Sequence, residues 1–115
     1  MGAGDAFAAV ACDPDAITNI LFSSGTTGDP KALPWTHVHP IKCGADAHYH
    51  LDIHPGEVVA WPSNLGWMMG PWLIYAAFLN RATMALYYGA PNERGFGEFV
   101  RDAAISMLGV IPSMV

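Results

Sequence analysis

The sequence is poor in charge, in clustered basic residues and in cysteine, and each shortage closes a class of function. Charged residues make up 13% of the 115, five basic against ten acidic, for a formal net charge of −5. Lys31, Lys42, Arg81, Arg94 and Arg101 are scattered along the chain, whereas a nucleic-acid footprint needs positive charge gathered on one face. That class is set aside. Cys12 and Cys43 form neither a CxxC pair nor a dense disulfide framework, and residues 1–11 carry Asp5 but no lysine or arginine, unlike a secretory or transit peptide. Reduced thiols in an intracellular compartment are the expectation. The longest apolar stretch, residues 66–79, is interrupted by Gly70 and Pro71 and falls short of the roughly 20 residues that span a bilayer. No membrane span is expected, and neither repeats nor low-complexity segments occur.

What is present is apolar and regularly punctuated. At 52% hydrophobic the chain can bury a core, and its length allows one domain at most. After the turn signal Asp13-Pro14-Asp15, residues 17–22 are apolar and β-branched, as in a buried strand. Residues 31–35 read as a short return strand that Pro34 restricts to an edge or an end. A helix over 37–51 follows, with Thr36 as its N-cap, Pro40 in its first turn and Gly44 weakening its middle. Residues 58–61 are a second buried strand, 67–79 an apolar helix and 83–88 a third strand ended by Gly89-Ala90-Pro91. Phe96, Phe99, Val100, Ala103 and Ala104 recur on one helical face, with Glu98, Arg101 and Asp102 opposite. The last strand is 107–111. Strands alternating with helices over short connections predict an α/β fold, a mostly parallel sheet with flanking helices. Val115 follows a strand at a point where such a sheet normally continues, which suggests part of something larger.

The stretch with chemistry is Ile20-Leu21-Phe22-Ser23-Ser24-Gly25-Thr26-Thr27-Gly28-Asp29-Pro30-Lys31. It is not a Walker loop, because Lys31 follows Pro30 and no serine or threonine comes next. Instead Ser23, Ser24, Thr26 and Thr27 offer hydroxyl donors, Gly25 and Gly28 let the backbone approach an anion, and Lys31 adds a point charge. Ser-Gly-Thr-Thr-Gly alone is an ordinary turn composition; entered by a strand and closed on a lysine, it reads as a phosphate loop.

Ser23 to Lys31 resembles the signature of the acyl-adenylate-forming superfamily, which includes acyl-CoA synthetases, luciferases and the adenylation domains of peptide synthetases. Ser63-Asn64-Leu65-Gly66-Trp67-Met68-Met69-Gly70 and Tyr87-Tyr88-Gly89-Ala90-Pro91 are similar to its acetyl-CoA-synthetase-like branch. Plant-type acyl-activating enzymes are the nearest likeness. The resemblance covers residues 17–115 as part of an AMP-binding domain, with 1–16 as a lead-in. It implies a large N-terminal domain, a carboxylic acid substrate, and ATP, Mg2+ and CoA as co-substrates and metal. It also implies that Ser23, Ser24, Gly25, Thr26, Thr27, Gly28 and Lys31 hold the nucleotide's phosphates while Trp67, Met68 and Met69 face the acyl chain. Cytoplasm or peroxisome would be the compartment.

The sequence departs from that pattern at Ala32, where glycine is usual, and has no Tyr-Gly-x-Thr-Glu motif, ribose-binding aspartate or catalytic C-terminal lysine; Lys31 is not that lysine. Two readings stay open: part of an ATP-dependent acyl-CoA synthetase, or a non-catalytic chain that retains a phosphate-binding loop. Poor solubility of the isolated chain is expected if an edge and an apolar face are left uncovered. His48, His50 and His54 invite a metal site, but Pro55-Gly56 turns the chain and breaks the helical face that a pair needs, so they are read as surface histidines. No catalytic residue is assigned; Cys43 has no assignable base.

Overall fold

A computed structural model describes residues 8–24 and 28–111. In chain order the elements are β1 (Ile17–Ser23), β2 (Lys31–Thr36), α1 (Val38–Leu51), β3 (Val58–Ala60), α2 (Met69–Leu79), β4 (Thr83–Met84), α3 (Arg94–Asp102) and β5 (Met107–Leu108). The strands form two sheets, an antiparallel pair β1-β2 and a parallel trio in the order β4-β3-β5.

The parallel trio is centred on β3. Val59 lies opposite Met84 on one side and Met107 on the other, and both Val59 and Ala60 are buried, as parallel sheets require. Gly70, Leu73, Ala76 and Ala77 form the buried face of α2. α1 comes close to α2 at Gly44, where an added Cβ would stand 3.0 Å from the Leu79 Cβ. The core is Ala47, Ile53, Val59, Leu73, Ala76, Ala77 and Ala82, with Trp61, Trp72, Met84 and Met107 against it.

Both long helices stop by the same device. Asp52 at φ 56° and Arg81 at φ 56° take the left-handed conformation. The Ile53 N–H then reaches back to the Ala47 carbonyl (3.0 Å), and the Ala82 N–H to that of Ala77 (2.8 Å). Each reversal drives a small or branched apolar residue into the core.

The α/β class, the mostly parallel sheet and the flanking helices hold, but the series 17–22, 58–61, 83–88 and 107–111 is not one sheet. Residues 17–22 pair only with β2 and are not a buried strand: Leu21 is buried while Ile17, Ile20 and Phe22 are exposed, because no described element covers that face. Pro34 is tolerated because a two-stranded ribbon is all edge. Thr36 ends β2 rather than capping α1; His37 is the cap, without a side-chain bond, and the Thr36 N–H donates to His39 Nδ1 at 2.9 Å. The apolar helix starts at Met69, since Trp67 and Gly70 N–H groups are taken by turn bonds to Asn64 and Trp67 carbonyls. The strand over 83–88 pairs fully only at Thr83–Met84, and that over 107–111 at Met107–Leu108. Beyond them β3 has run out, and one further bond on each side, Ala85 N–H to Val59 and Gly109 N–H to Ala60, ends the ladder.

Two glycines separate close packing from simple chain freedom. A Cβ on Gly109 would overlap the Trp61 indole, whereas one on Gly97, in α3, meets nothing within 4 Å. Gly109→Ala is expected to destabilise by about 1–3 kcal/mol through overpacking, and Gly97→Ala to stabilise by about 0.5–1 kcal/mol through helix propensity. Urea unfolding of the two variants checks both signs.

Candidate functional site

The Ser23 to Lys31 stretch lies at the turn end of the β1–β2 hairpin. Register sets Ser23 opposite Lys31 and Phe22 opposite Ala32, so a hydroxyl and an ammonium flank the loop where it leaves the ladder. Ser24 and Lys31 are exposed and Ser23 half-buried. Gly28 sits at φ 113° with open space around it, a conformation that admits glycine and little else. The residues Gly25, Thr26 and Thr27 lie outside the described residues. The mouth combines hydroxyls, a side-chain-free backbone and one cation, which suits a phosphate chain.

At the other end the hairpin is tied to both long helices. The Ala16 carbonyl accepts from the His37 N–H (3.1 Å), and Trp35 stacks on His39 with ring centres 5.4 Å apart, joining it to α1. Towards α2, the Tyr75 hydroxyl lies 3.2 Å from Asn19 Oδ1.

The second group of predicted residues stands on the connection from β3 to α2. Asn64 shapes it, its side chain accepting from the Gly66 N–H (2.8 Å) and its carbonyl from the Trp67 N–H (3.0 Å). Trp67 and Met68 are 71% and 62% exposed, and Met69 opens α2 half-buried. None of the three lines the aromatic cavity at the carboxyl ends of β3 and β4, and neither do Ser23 and Lys31.

That cavity, of about 250 Å³, lies on the same connection, at a place where open parallel sheets bind ligands. Its walls are Ala60, Trp61, Ser63, Tyr87, Phe96 and Phe99. Tyr87 packs 5.2 Å from Phe96 and 5.1 Å from Phe99, ring centre to ring centre. The sequence reading missed this group. Its signal was an aromatic at the end of each of two strands facing the Phe96 and Phe99 pair, spaced one helical turn apart.

The histidines do not converge on a metal. Leu51 ends α1, so His50 and His54 are separated by the left-handed Asp52; His54 Nε2 lies 2.7 Å from Asp52 Oδ1 and its ring meets the His48 edge at 4.8 Å. Among the described residues no group of three His, Cys, Asp or Glu could hold an ion. No described helix is long and apolar enough to cross a membrane. Cys43 is buried between α1 and its neighbours, and burial pushes its thiol up, with the Asp46 carboxylate adding to the effect.

A family profile described as AMP-binding enzyme matches residues 3–115. The chain is 63% identical over 101 residues to hexanoyl-CoA synthase of Cannabis sativa, covering 88% of this chain and 14% of that protein. It is 64% identical over 100 residues to a probable peroxisomal acyl-activating enzyme 17 of Arabidopsis thaliana, covering 87% and 14%. It thus spans 14% of the length of either relative. ATP-bound MatB from Rhodopseudomonas palustris shares the fold with a TM-score of 0.77 at 20% identity, over 95% of this chain and 21% of that one.

The two thiols differ enough to be told apart in solution. A raised pKa leaves Cys43 with less thiolate than an ordinary cysteine at pH 8, and it is buried, while Cys12 is exposed. Thiol titration of the native chain is expected to show one fast-reacting cysteine, with Cys43 reacting only after denaturant is added. Two fast thiols would contradict the packing of α1.

Proposed function

The chain belongs to the AMP-binding enzyme family, and on that premise we propose that the Ser23–Lys31 loop serves the activation of a carboxylic acid by Mg-ATP, followed by transfer to CoA. A carboxylate oxygen attacks the α-phosphorus, and the bond to pyrophosphate breaks as the acyl-adenylate forms. The CoA thiol, losing its proton, then attacks the acyl carbon, and AMP leaves.

The observation that carries this reading is the 63% identity over 101 residues to hexanoyl-CoA synthase. An alignment of that length within 115 residues starts no later than residue 15 and ends no earlier than residue 101, so it includes both predicted loops. The hairpin geometry supports the same assignment. Ser23, Ser24 and Lys31 flank the mouth, Gly28 holds a glycine-type conformation, and Thr26 and Thr27 belong to the same loop. Donors fixed around a leaving pyrophosphate stabilise charge as it develops, which is where an enzyme gains rate. Magnesium enters as part of the Mg-ATP substrate.

Trp67, Met68 and Met69 face the acyl chain in this reading. Two of the three are exposed on the described surface, and methionine adapts to apolar groups of varied shape. A second reading, nucleotide-phosphate binding without completed transfer, is favoured for these 115 residues by the 14% of the relatives' length that they span.

ATP–pyrophosphate exchange with straight-chain acids of increasing length decides between the readings. These 115 residues are expected to bind ATP weakly and to give no exchange; robust exchange would overturn the second reading. In an exchange-active protein carrying this sequence, Lys31→Ala is expected to lower kcat/KM about 10²-fold. Met68→Ala and Met69→Ala are expected to shift the preferred acid length, and an unchanged length profile would remove those residues from the acyl site.

A further inference from the structure

Asn19 follows Thr18 in β1, at the point where the ladder slips. The register of β1 against β2 shifts between Ile17 and Asn19, and such bulges re-aim a side chain. The Asn19 amide then meets two hydroxyls, Thr18 Oγ1 at 2.8 Å and that of Tyr75, on α2, at 3.2 Å. Thr18 Oγ1 also stands 3.1 Å from the Trp35 carbonyl. The Asn19 Nδ2 is buried and has no partner among the described residues. Rotating the amide gives the Thr18 proton to Trp35 and leaves the amide oxygen unpaired instead. Among the described residues either orientation leaves one amide group unpaired, at a cost of roughly 1–3 kcal/mol.

Apolar packing of the hairpin is thin, with Leu21 buried and Ile20, Phe22 and Leu33 exposed, and its other ties, through Ala16 and Trp35, go to α1. We propose that Asn19 and Tyr75 form a positioning latch that sets the angle of the phosphate-loop hairpin on α2. Through α2 the latch links the Ser23–Lys31 mouth to the Gly66–Met69 connection. The latch rests on the reading of that mouth as a phosphate site. Four residues of strand separate Asn19 from Ser23, a lever of about 13 Å. A rocking of about 10° at the latch moves Ser23 by about 2 Å, more than the 1 Å misplacement that can cost about 10²-fold in rate. Both residues are positioning residues; neither touches the reacting atoms.

The test compares Tyr75→Phe, Asn19→Leu and the double variant in the full chain, using ATP titration, thermal unfolding and amide hydrogen exchange. Tyr75→Phe is expected to weaken ATP binding about tenfold and to speed exchange at the Ser23 and Lys31 amides relative to Val59 and Leu73, with Tm within about 2 °C. Asn19→Leu is expected to show the same loss of affinity at equal or higher Tm, and the double variant no further loss, because one network is removed once. A wild type that binds ATP and a Tyr75→Phe that binds equally well would overturn the latch, as would a loss that merely follows a fall in Tm. If the wild type does not bind ATP, the phosphate reading fails and exchange alone decides. Faster exchange at Ser23 and Lys31 in Tyr75→Phe then upholds the latch, and unchanged exchange overturns it.

Discussion

β3 is three residues long and has a parallel neighbour on each edge, and most of the molecule follows from satisfying it. The Glu57 and Val59 carbonyls accept from Thr83 and Ala85 at 2.7 and 2.8 Å, and those of Val58 and Ala60 from Ser106 and Gly109 at 2.8 and 2.9 Å. A strand paired on both sides is buried, and buried backbone must be bonded throughout. The ladder therefore ends as soon as β3 does. That is why β4 and β5 are two-residue strands despite longer apolar runs, and why the chain opens into loops at one edge of the sheet. The aromatic cavity lies at the carboxyl ends of β3 and β4, between the connections that leave those two strands.

The hairpin is held by a different kind of force. Around β3, stability comes from apolar burial, which is strong in sum and indifferent to direction. The hairpin instead rests on directional contacts, among them a backbone bond at Ala16, a ring stack at Trp35, the Thr36 N–H bond to His39 and the hydroxyl–amide contact at Asn19, each worth about 1 kcal/mol. Directional contacts fix the angle at which the hairpin stands on the helices, whereas apolar burial fixes only how much surface is covered.

The difference between those forces also explains what could be read from residues alone. α3 was legible because its periodicity is local, Phe96 and Phe99 facing inwards and Glu98 and Arg101 outwards as their spacing requires, and α2 because a long apolar run stops at Asn80-Arg81. Residues 17–22 were misleading because β-branched apolar composition reports strand propensity, whereas burial depends on a covering element that lies elsewhere in the chain. The Ser23–Lys31 loop was legible as a long, specific string, and its placement opposite itself in a hairpin followed from the return strand. The cavity and the Asn19–Tyr75 contact were not legible, since Ala60, Tyr87 and Phe96, like Asn19 and Tyr75, come together only through tertiary folding. Asn19 was nonetheless visible beside Thr18 as a polar residue ahead of the apolar run Ile20-Leu21-Phe22.

The β3–α2 connection carries two apolar surfaces of opposite character. On the cavity side the Trp61 indole lies against Gly109, so close that no Cβ fits between them, and packs edge-on to Trp72 at 5.8 Å. It is therefore a wall fixed by backbone, and close-packed walls reject a misfit rather than adapt to it. On the other side Trp67 and Met68 are exposed, with unbranched methionine free to change rotamer. One short loop separates the fixed apolar surface from the adaptable one. Asn64 shapes that loop through two bonds, its side-chain oxygen accepting from the Gly66 N–H and its backbone carbonyl from the Trp67 N–H.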